Sequence, residues 1–185
     1  MTYLTRYGMP LSIMEFDYQV FYRKVKYPRI EIKDGNVRVI VPFGKRPGAF
    51  VNKHRDWIER KLKEIQKAKE EAEKLIPVDR SEEEFKKLVL DYIKEAEGIV
   101  GKRANKVYFR KMKSHWGSCS SHKNITINTF ARILPDRLLK YVIFHEVAHL
   151  RYMNHGRAFT KLMKSYFPDY RSLSKELSLW WYRVG

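Results

Sequence analysis

Apolar residues alternate with charged residues in the first part of the chain. The alternation runs up to a turn signal at Asp34-Gly35 and resumes after that turn. An apolar, aromatic run at 18–22 precedes the alternating stretch. A period of two on both sides of an Asp-Gly turn predicts a β-hairpin with one buried face and one charged face. The alternating apolar positions are Ile30, Ile32, Val37, Val39 and Val41.

The spacing of apolar residues changes to three and four after the break at 42–48, which predicts helices. A first helix is expected over 50–65, and it continues into a mostly charged stretch. Ser81 followed by Glu84 is a capping-box pattern, so a second helix is expected from there to Ala96.

The last part of the chain contains both the period of two that is typical of strands and the spacing of three and four that is typical of helices. Short alternating runs at 107–109 and 125–127 predict two strands on either side of a loop rich in Ser, Gly and His. Pro135 opens a predicted helix with apolar residues on both sides, and further helices are expected after Gly156 and Pro168. An α+β fold is therefore expected. Its predicted parts are a β-rich N-terminal region at 1–47, a helical connector at 48–100 and a core at 101–185.

Composition limits the class of protein. The chain has 185 residues, of which 44% are hydrophobic, so it can form one compact domain or two small ones. Cys119 is its single cysteine, which excludes a scaffold held by intrachain disulfides. Polar residues interrupt the first 20 residues throughout, so we expect no signal peptide, no membrane partner and a cytoplasmic location.

The charge is distributed unevenly. Residues 1–100 carry 21 basic and 17 acidic side chains, whereas residues 101–185 carry 17 basic and only 4 acidic ones, a net charge of +13. Such an excess indicates an anionic partner for the C-terminal half, and a solvated basic surface is the alternative. If the excess is functional, the basic surface should border the active site.

The motif that carries chemistry is His145-Glu146-Val147-Ala148-His149 in the helix predicted after Pro135. Residues four apart share one face of a helix, so both imidazoles can reach one metal ion, and Glu146 can act as the general base. The alternative is a core helix with two hydrogen-bonded histidines. The surrounding apolar residues disfavour it, because they would bury an unpaired carboxylate.

A zinc hydrolase needs a third protein ligand, and His155 and Glu176 are the two candidates. His155 follows His149 by six residues, as in the metzincin pattern H-E-x-x-H-x-x-G-x-x-H, and is favoured for that spacing. Tyr152 stands where that pattern has glycine, so the turn out of the helix is expected at Asn154 in left-handed geometry.

The other histidines carry a weaker signal. His115 and His122 flank a loop that contains Cys119, but no pair of them has the spacing of a structural zinc site. A polar loop or an edge strand is favoured over a second metal site.

The region from Tyr108 to Phe159 resembles the YgjP-like family of predicted metal-dependent hydrolases, which is related to SprT-like and WLM metallopeptidases. The resemblance rests on H-W-G-S-C-S-S at 115–121, N-I-T-I-N at 124–128, the helix with the two histidines at 138–150, and M-N-H-G-R-A-F at 153–159. The family loop usually reads R-W-G-S-C, and His115 replaces its arginine here.

The resemblance implies a minimal zincin core, in which an active-site helix packs on a small antiparallel sheet. It also implies a zinc-dependent hydrolase, and above all a metallopeptidase that acts on a peptide or protein. One Zn²⁺ per chain is expected at His145, His149 and His155, with Ni²⁺ or another divalent transition metal as the alternative. Tyr152, Arg157 and His115 are candidates for stabilising the oxyanion.

Two other functions compete with a peptidase. A nucleotide phosphoanhydride hydrolase would keep the metal site and hold phosphates with the basic C-terminal half. A nucleic-acid-binding module would use the same basic half with its interleaved aromatic residues, either alone or as a protease that acts on DNA-linked proteins.

Overall fold

The computed structural model describes residues 16–33 and 35–184, so Asp34 of the predicted turn and the N-terminal residues 1–15 lie outside the described part. The described chain is a mixed structure, which confirms the predicted α+β class. Its strands are β1 (Tyr18–Tyr22), β2 (Arg29–Lys33), β3 (Asn36–Val41), β4 (Lys106–Arg110), β5 (Gly117–Cys119) and β6 (Asn124–Asn128). Its helices are α1 (Gly48–Lys53), α2 (Arg55–Glu73), α3 (Glu82–Val100), α4 (Asp136–Ala148), α5 (Arg157–Tyr166) and α6 (Tyr170–Val184), with a 3-10 helix at Thr129–Ile133.

The chain divides into two compact units, Met1–Glu73 and Lys74–Gly185. The stretch at 48–100 contributes α1 and α2 to the first unit and α3 to the second. The three-part division at 47 and 100 stays a prediction.

The first unit contains the three-stranded sheet β1-β3-β2. The predicted hairpin is present, because β2 and β3 pair in antiparallel fashion with Ile32 opposite Val37. β1 pairs with the opposite edge of β3 and runs parallel to it. The inward side chains of β3, including the fully buried Val39, pack with Val51 of α1 and Ile58 of α2.

The second unit begins with the predicted capped helix. The Ser81 side chain accepts a hydrogen bond from the Glu84 backbone, Glu84 bonds back to the Ser81 backbone, and α3 ends at Gly101, whose φ of 69° is left-handed. Phe85, Val89 and other residues of the same face are buried against α4. Local sequence therefore sets both ends of this helix.

The second sheet has the order β4-β6-β5 and is mixed rather than antiparallel throughout. β5 pairs with β6 in antiparallel fashion, as the zincin resemblance implies, but β4 runs parallel to β6. The side chain of Asn128, at the end of β6, is fully buried and bonds to the backbone of Met112, His115 and Phe130. This amide fixes the segment that leads into β5.

The helix α4 lies in the core of the second unit, and its residues from Leu138 to Ala148 are mostly buried. Its start is held by Arg80, which donates to the carbonyl oxygens of Arg132 and Leu134 and forms an ion pair with Asp136. Over the described ranges, no helix is both long and apolar enough to cross a membrane.

Candidate metal centre

The helix α4 carries the H-E-x-x-H motif at its C-terminal end, and His149 is the capping residue. The chain then turns back through tight backbone bonds, one of them from Tyr152 N to Ala148 O at 3.0 Å. The expected left-handed turn at Asn154 is wrong: among the described non-glycine residues only Lys123 has a positive φ. Successive hydrogen-bonded turns after the helix reverse the chain instead, so no glycine is needed there.

The structure brings together the three histidines that the sequence predicts. One ring nitrogen from each of His145, His149 and His155 lies within 4.8 Å of the others, and His155 Nε2 is 3.1 Å from His145 Nε2. Nitrogen ligands of a tetrahedral zinc ion lie about 3.3 Å apart for Zn–N bonds of 2.0–2.1 Å. The donor set and its spacing therefore fit a transition-metal ion. Glu176, the rival ligand, is not part of this group within the described residues.

The protonation of these rings favours metal binding. His149 Nδ1 donates to the Tyr152 carbonyl oxygen at 2.9 Å, so its other nitrogen is free to act as a ligand. Burial lowers the pKa of His145 to about 4, with smaller contributions from His149 and His155, and burial also lowers the pKa of His149. Both helix histidines are therefore neutral at physiological pH, which is the form that coordinates a metal.

Phe159 is the central packing residue of the cluster, a role that the sequence does not predict. Its ring centroid lies 4.7 Å from that of His149, 4.8 Å from that of His155 and 5.0 Å from that of His145. The side chain is only 4% exposed. The available signal was an apolar residue one helical turn after His155 in α5, but nothing in the sequence shows that it contacts all three rings.

Glu146 lies on α4 beside the cluster and is 8% exposed. Burial raises the pKa of its carboxyl to about 7. The backbone of β5 covers it: a Cβ on Gly117 would be 2.6 Å from Glu146 Cγ and 3.1 Å from Oε1. The side chain of the predicted general base, which extends from α4, thus packs against the backbone of β5. The only sign of this contact in the sequence is the glycine of the W-G-S-C segment.

The loop with His115 and Cys119 forms the edge strand β5 and is not part of the described three-histidine group. The exposed His115 ring contacts Ser114 Oγ at 2.7 Å. Burial, with a smaller effect of the Glu146 charge, raises the pKa of the Cys119 thiol to about 11. The thiol is therefore protonated at neutral pH, which argues against a nucleophilic role.

A basic groove of about 640 Å³ borders the cluster at His155. Arg157, Lys161 and Lys164 line it from one face of α5, and the helix has no acidic residue. Part of the positive charge of the C-terminal half therefore lies next to the histidines.

The sequence model of the family described as YgjP-like, metallopeptidase domain, matches residues 78–179. A curated relative, the UTP pyrophosphatase of Escherichia coli (strain K12), is 31% identical over 64 residues. The match covers 35% of this chain and 38% of that protein's length.

Two solved structures resemble part of the chain. The metallopeptidase zymogen of Pyrococcus abyssi abylysin has a TM-score of 0.45 and 23% identity, over 48% of this chain and 90% of that one. The metallopeptidase zymogen of Methanocaldococcus jannaschii jannalysin has a TM-score of 0.44 and 22% identity, over 48% and 92%.

Proposed function

Because the chain belongs to the YgjP-like family, we propose that it is a metal-dependent hydrolase with a metal site at His145, His149 and His155 and with Glu146 as the general base. The observation that carries the proposal is the convergence of three imidazole nitrogens, with the buried carboxylate of Glu146 on the helix that carries His145. His155 is exposed, so the cluster is open to solvent on that side. Three protein ligands with an open position are typical of catalytic zinc sites.

We propose Zn²⁺ as the ion, one per chain. Imidazole nitrogens suit zinc and nickel, whereas Mg²⁺ and Ca²⁺ prefer oxygen ligands. An ion bound here supplies Lewis acidity, which polarises the bond to be cleaved and makes water a better nucleophile.

Glu146 takes the proton from the attacking water and returns it to the leaving group. The Gly117 backbone on one side and α4 on the other restrict its side chain, so the carboxylate is oriented before substrate arrives. His149 is oriented in the same way by the Tyr152 carbonyl.

We propose a peptide or protein as the substrate. β5 pairs with β6 on one side, and no other described strand pairs with its second edge. A free strand edge next to Glu146 suits an extended peptide, which can add to it through backbone hydrogen bonds.

Hydrolysis of a nucleotide phosphoanhydride is the second candidate. It is supported by the basic groove beside His155, in which Arg157, Lys161 and Lys164 would hold phosphates. The name of the curated relative, a UTP pyrophosphatase, points in the same direction.

Metal analysis tests the site before any substrate is known. We expect about one zinc ion per chain for the wild type and at least a tenfold weaker affinity for His149→Ala. Glu176→Ala is the matched control and should keep its metal. Full metal content in His149→Ala would overturn the assignment.

A substrate panel tests the reaction. Wild type is compared with Glu146→Gln and with the control Glu176→Gln on an unfolded protein and on nucleoside triphosphates. If Glu146 is the general base, Glu146→Gln should reduce turnover by about 100-fold or more while zinc stays bound. Lys161→Gln then separates the candidates, because it should raise KM for nucleotides and leave peptide cleavage unchanged.

A further inference from the structure

Two loops of the first unit meet at one end of its sheet. Both loops precede the histidine motif by about 100 residues in the sequence. The pairings of Tyr22 with Val41 and of Arg29 with Ile40 place the end of β1, the start of β2 and the end of β3 together. Arg23 N donates to Val41 O at 3.0 Å and ties the first loop to β3. We call this end, formed by residues 23–29 and 42–47, the basic tip.

The basic tip has a strong positive charge. Its two segments contain no acidic residue. Among the described residues, only one of its cations has an ion-pair partner, since Arg29 bonds to Glu31 at 2.8 Å. The exposed cations are Arg23, Lys24, Lys26, Arg29, Lys45 and Arg46. Unneutralised cations at this density indicate an anionic partner.

Two aromatic rings are held in solvent among these cations. Phe43 is 70% exposed and Tyr27 is 68% exposed. Phe43 lies in a tight turn, closed by a bond from Lys45 N to Pro42 O at 3.2 Å, and Gly44 has the left-handed φ of 78° that such a turn needs. The local backbone therefore keeps the Phe43 ring on the outside.

Each of the two exposed rings has a neighbour, an aromatic ring beside Phe43 and a cation beside Tyr27. Phe43 lies nearly parallel to Tyr22, with an interplanar angle of 23° and centroids 6.5 Å apart. Lys26 Nζ lies 5.3 Å from the centroid of the Tyr27 ring. Flat apolar faces next to unpaired cations match a ligand that alternates flat rings with negative charges.

We propose that the basic tip binds single-stranded nucleic acid, with its lysines and arginines at phosphates and with Phe43 and Tyr27 stacked on unpaired bases. A duplex hides the faces of its bases, so a single strand fits both features better. This site lies in the first unit, and its existence does not depend on the proposed hydrolase activity.

Fluorescence anisotropy of the full chain with a labelled oligothymidylate or oligouridylate of about twelve nucleotides tests the proposal. Tyr27→Ala with Phe43→Ala should weaken binding by at least about 30-fold, because each ring loses a stacked base. Lys24→Gln, Lys26→Gln and Lys45→Gln together should reduce the slope of log affinity against log salt by about two, since each phosphate contact contributes about 0.7.

The matched control removes the same number of charges from α2. Lys61→Gln, Lys63→Gln and Lys67→Gln together should change the affinity by less than about twofold, because α2 reaches the other end of the sheet, where Lys69 approaches Gly35. Circular dichroism and the unfolding midpoint should match the wild type in all variants. If the alanine pair does not fold, Tyr27→Leu with Phe43→Leu keeps the bulk and removes only the stacking faces.

Four results would overturn the proposal. They are equal weakening in the α2 control, unchanged binding in the aromatic variants, tighter binding to duplex than to single strands, and binding to phosphatidylserine vesicles that the oligonucleotide does not displace. The last result would assign the tip to an anionic membrane surface.

Discussion

Gly117 and Glu146 are in such close contact that a methyl group on the glycine would overlap the glutamate side chain, with 2.6 Å between the added Cβ and Glu146 Cγ. The side chain cannot move far, because Glu146 is buried on α4. Either the carboxylate or the strand must therefore shift if residue 117 gains a side chain.

If Glu146 is the general base as proposed, we expect Gly117→Ala to lower turnover by at least about tenfold while the metal content stays unchanged, since misplacement of a catalytic group by about 1 Å has effects of this size. Gly98→Ala in α3 is the control, because its added Cβ meets no atom within 4 Å apart from the adjoining backbone of its own helix. That control should stabilise the fold by about 0.5–1 kcal/mol. Normal turnover in Gly117→Ala would show that the position of Glu146 is not critical.

Glu146 should make the stability of the metal-free protein depend on pH. Its pKa is raised to about 7 in the folded state, so folding is favoured by the protonated carboxyl below pH 4.5, and this stabilisation is lost as the pH rises through 7. Glu146→Gln removes the ionisation. Metal-free Glu146→Gln should therefore gain about 2–3 kcal/mol over the wild type between pH 4.5 and pH 8.

Urea unfolding of both proteins with a chelator, at several pH values, measures this difference in free energy. Taking the difference between the two proteins cancels the contributions of the other titrating groups, including His145. A difference that does not change with pH would contradict the raised pKa of Glu146.

Phe159→Ala should weaken both folding and metal binding. Loss of a buried phenylalanine costs about 3–5 kcal/mol. Because this ring packs on all three histidines, we also expect a 10- to 100-fold lower zinc affinity in competition with a chelator. Met163→Ala, on the same helix and equally buried, should destabilise the protein without that loss of affinity. Equal affinities for the two variants would show that Phe159 only fills space.

Asn128→Ala should cost about 2–4 kcal/mol, because it leaves several buried backbone groups without partners. Asn105→Ala is the comparison, since its exposed amide makes one bond, to the His122 carbonyl, and should cost less than about 1 kcal/mol. The free energy of unfolding in urea measures both. Similar costs would mean that the segment before β5 holds its position without the Asn128 amide.

The parts that local sequence determines could be predicted. The spacing of His145 and His149 is a property of one helix, and the caps of α3 at Ser81 and Gly101 use residues next to its ends. The β2-β3 hairpin follows from alternation around a short turn. In each case, the interacting residues lie within a few positions of each other.

The parts that depend on distant contacts could not be predicted. Periodicity indicates that β4 and β6 are strands but does not set their parallel pairing. Gly117 meets Glu146 across 29 positions of sequence, and only packing of β5 on α4 brings them together. The exposed Phe43 depends on a turn whose orientation becomes visible only when β1 and β3 are paired.

Cys119, the single cysteine of the chain, lies in the strand that covers Glu146, so its alkylation can be used to follow movement of that strand. Cys119 is half-buried in β5 and its raised pKa keeps it protonated at neutral pH, so alkylating reagents react slowly with the closed state. Any fluctuation that lifts β5 from α4 exposes the thiol to water, which lowers its pKa and speeds alkylation. A change in the labelling rate of Cys119 between two states of the protein therefore reports a change in how β5 lies on α4.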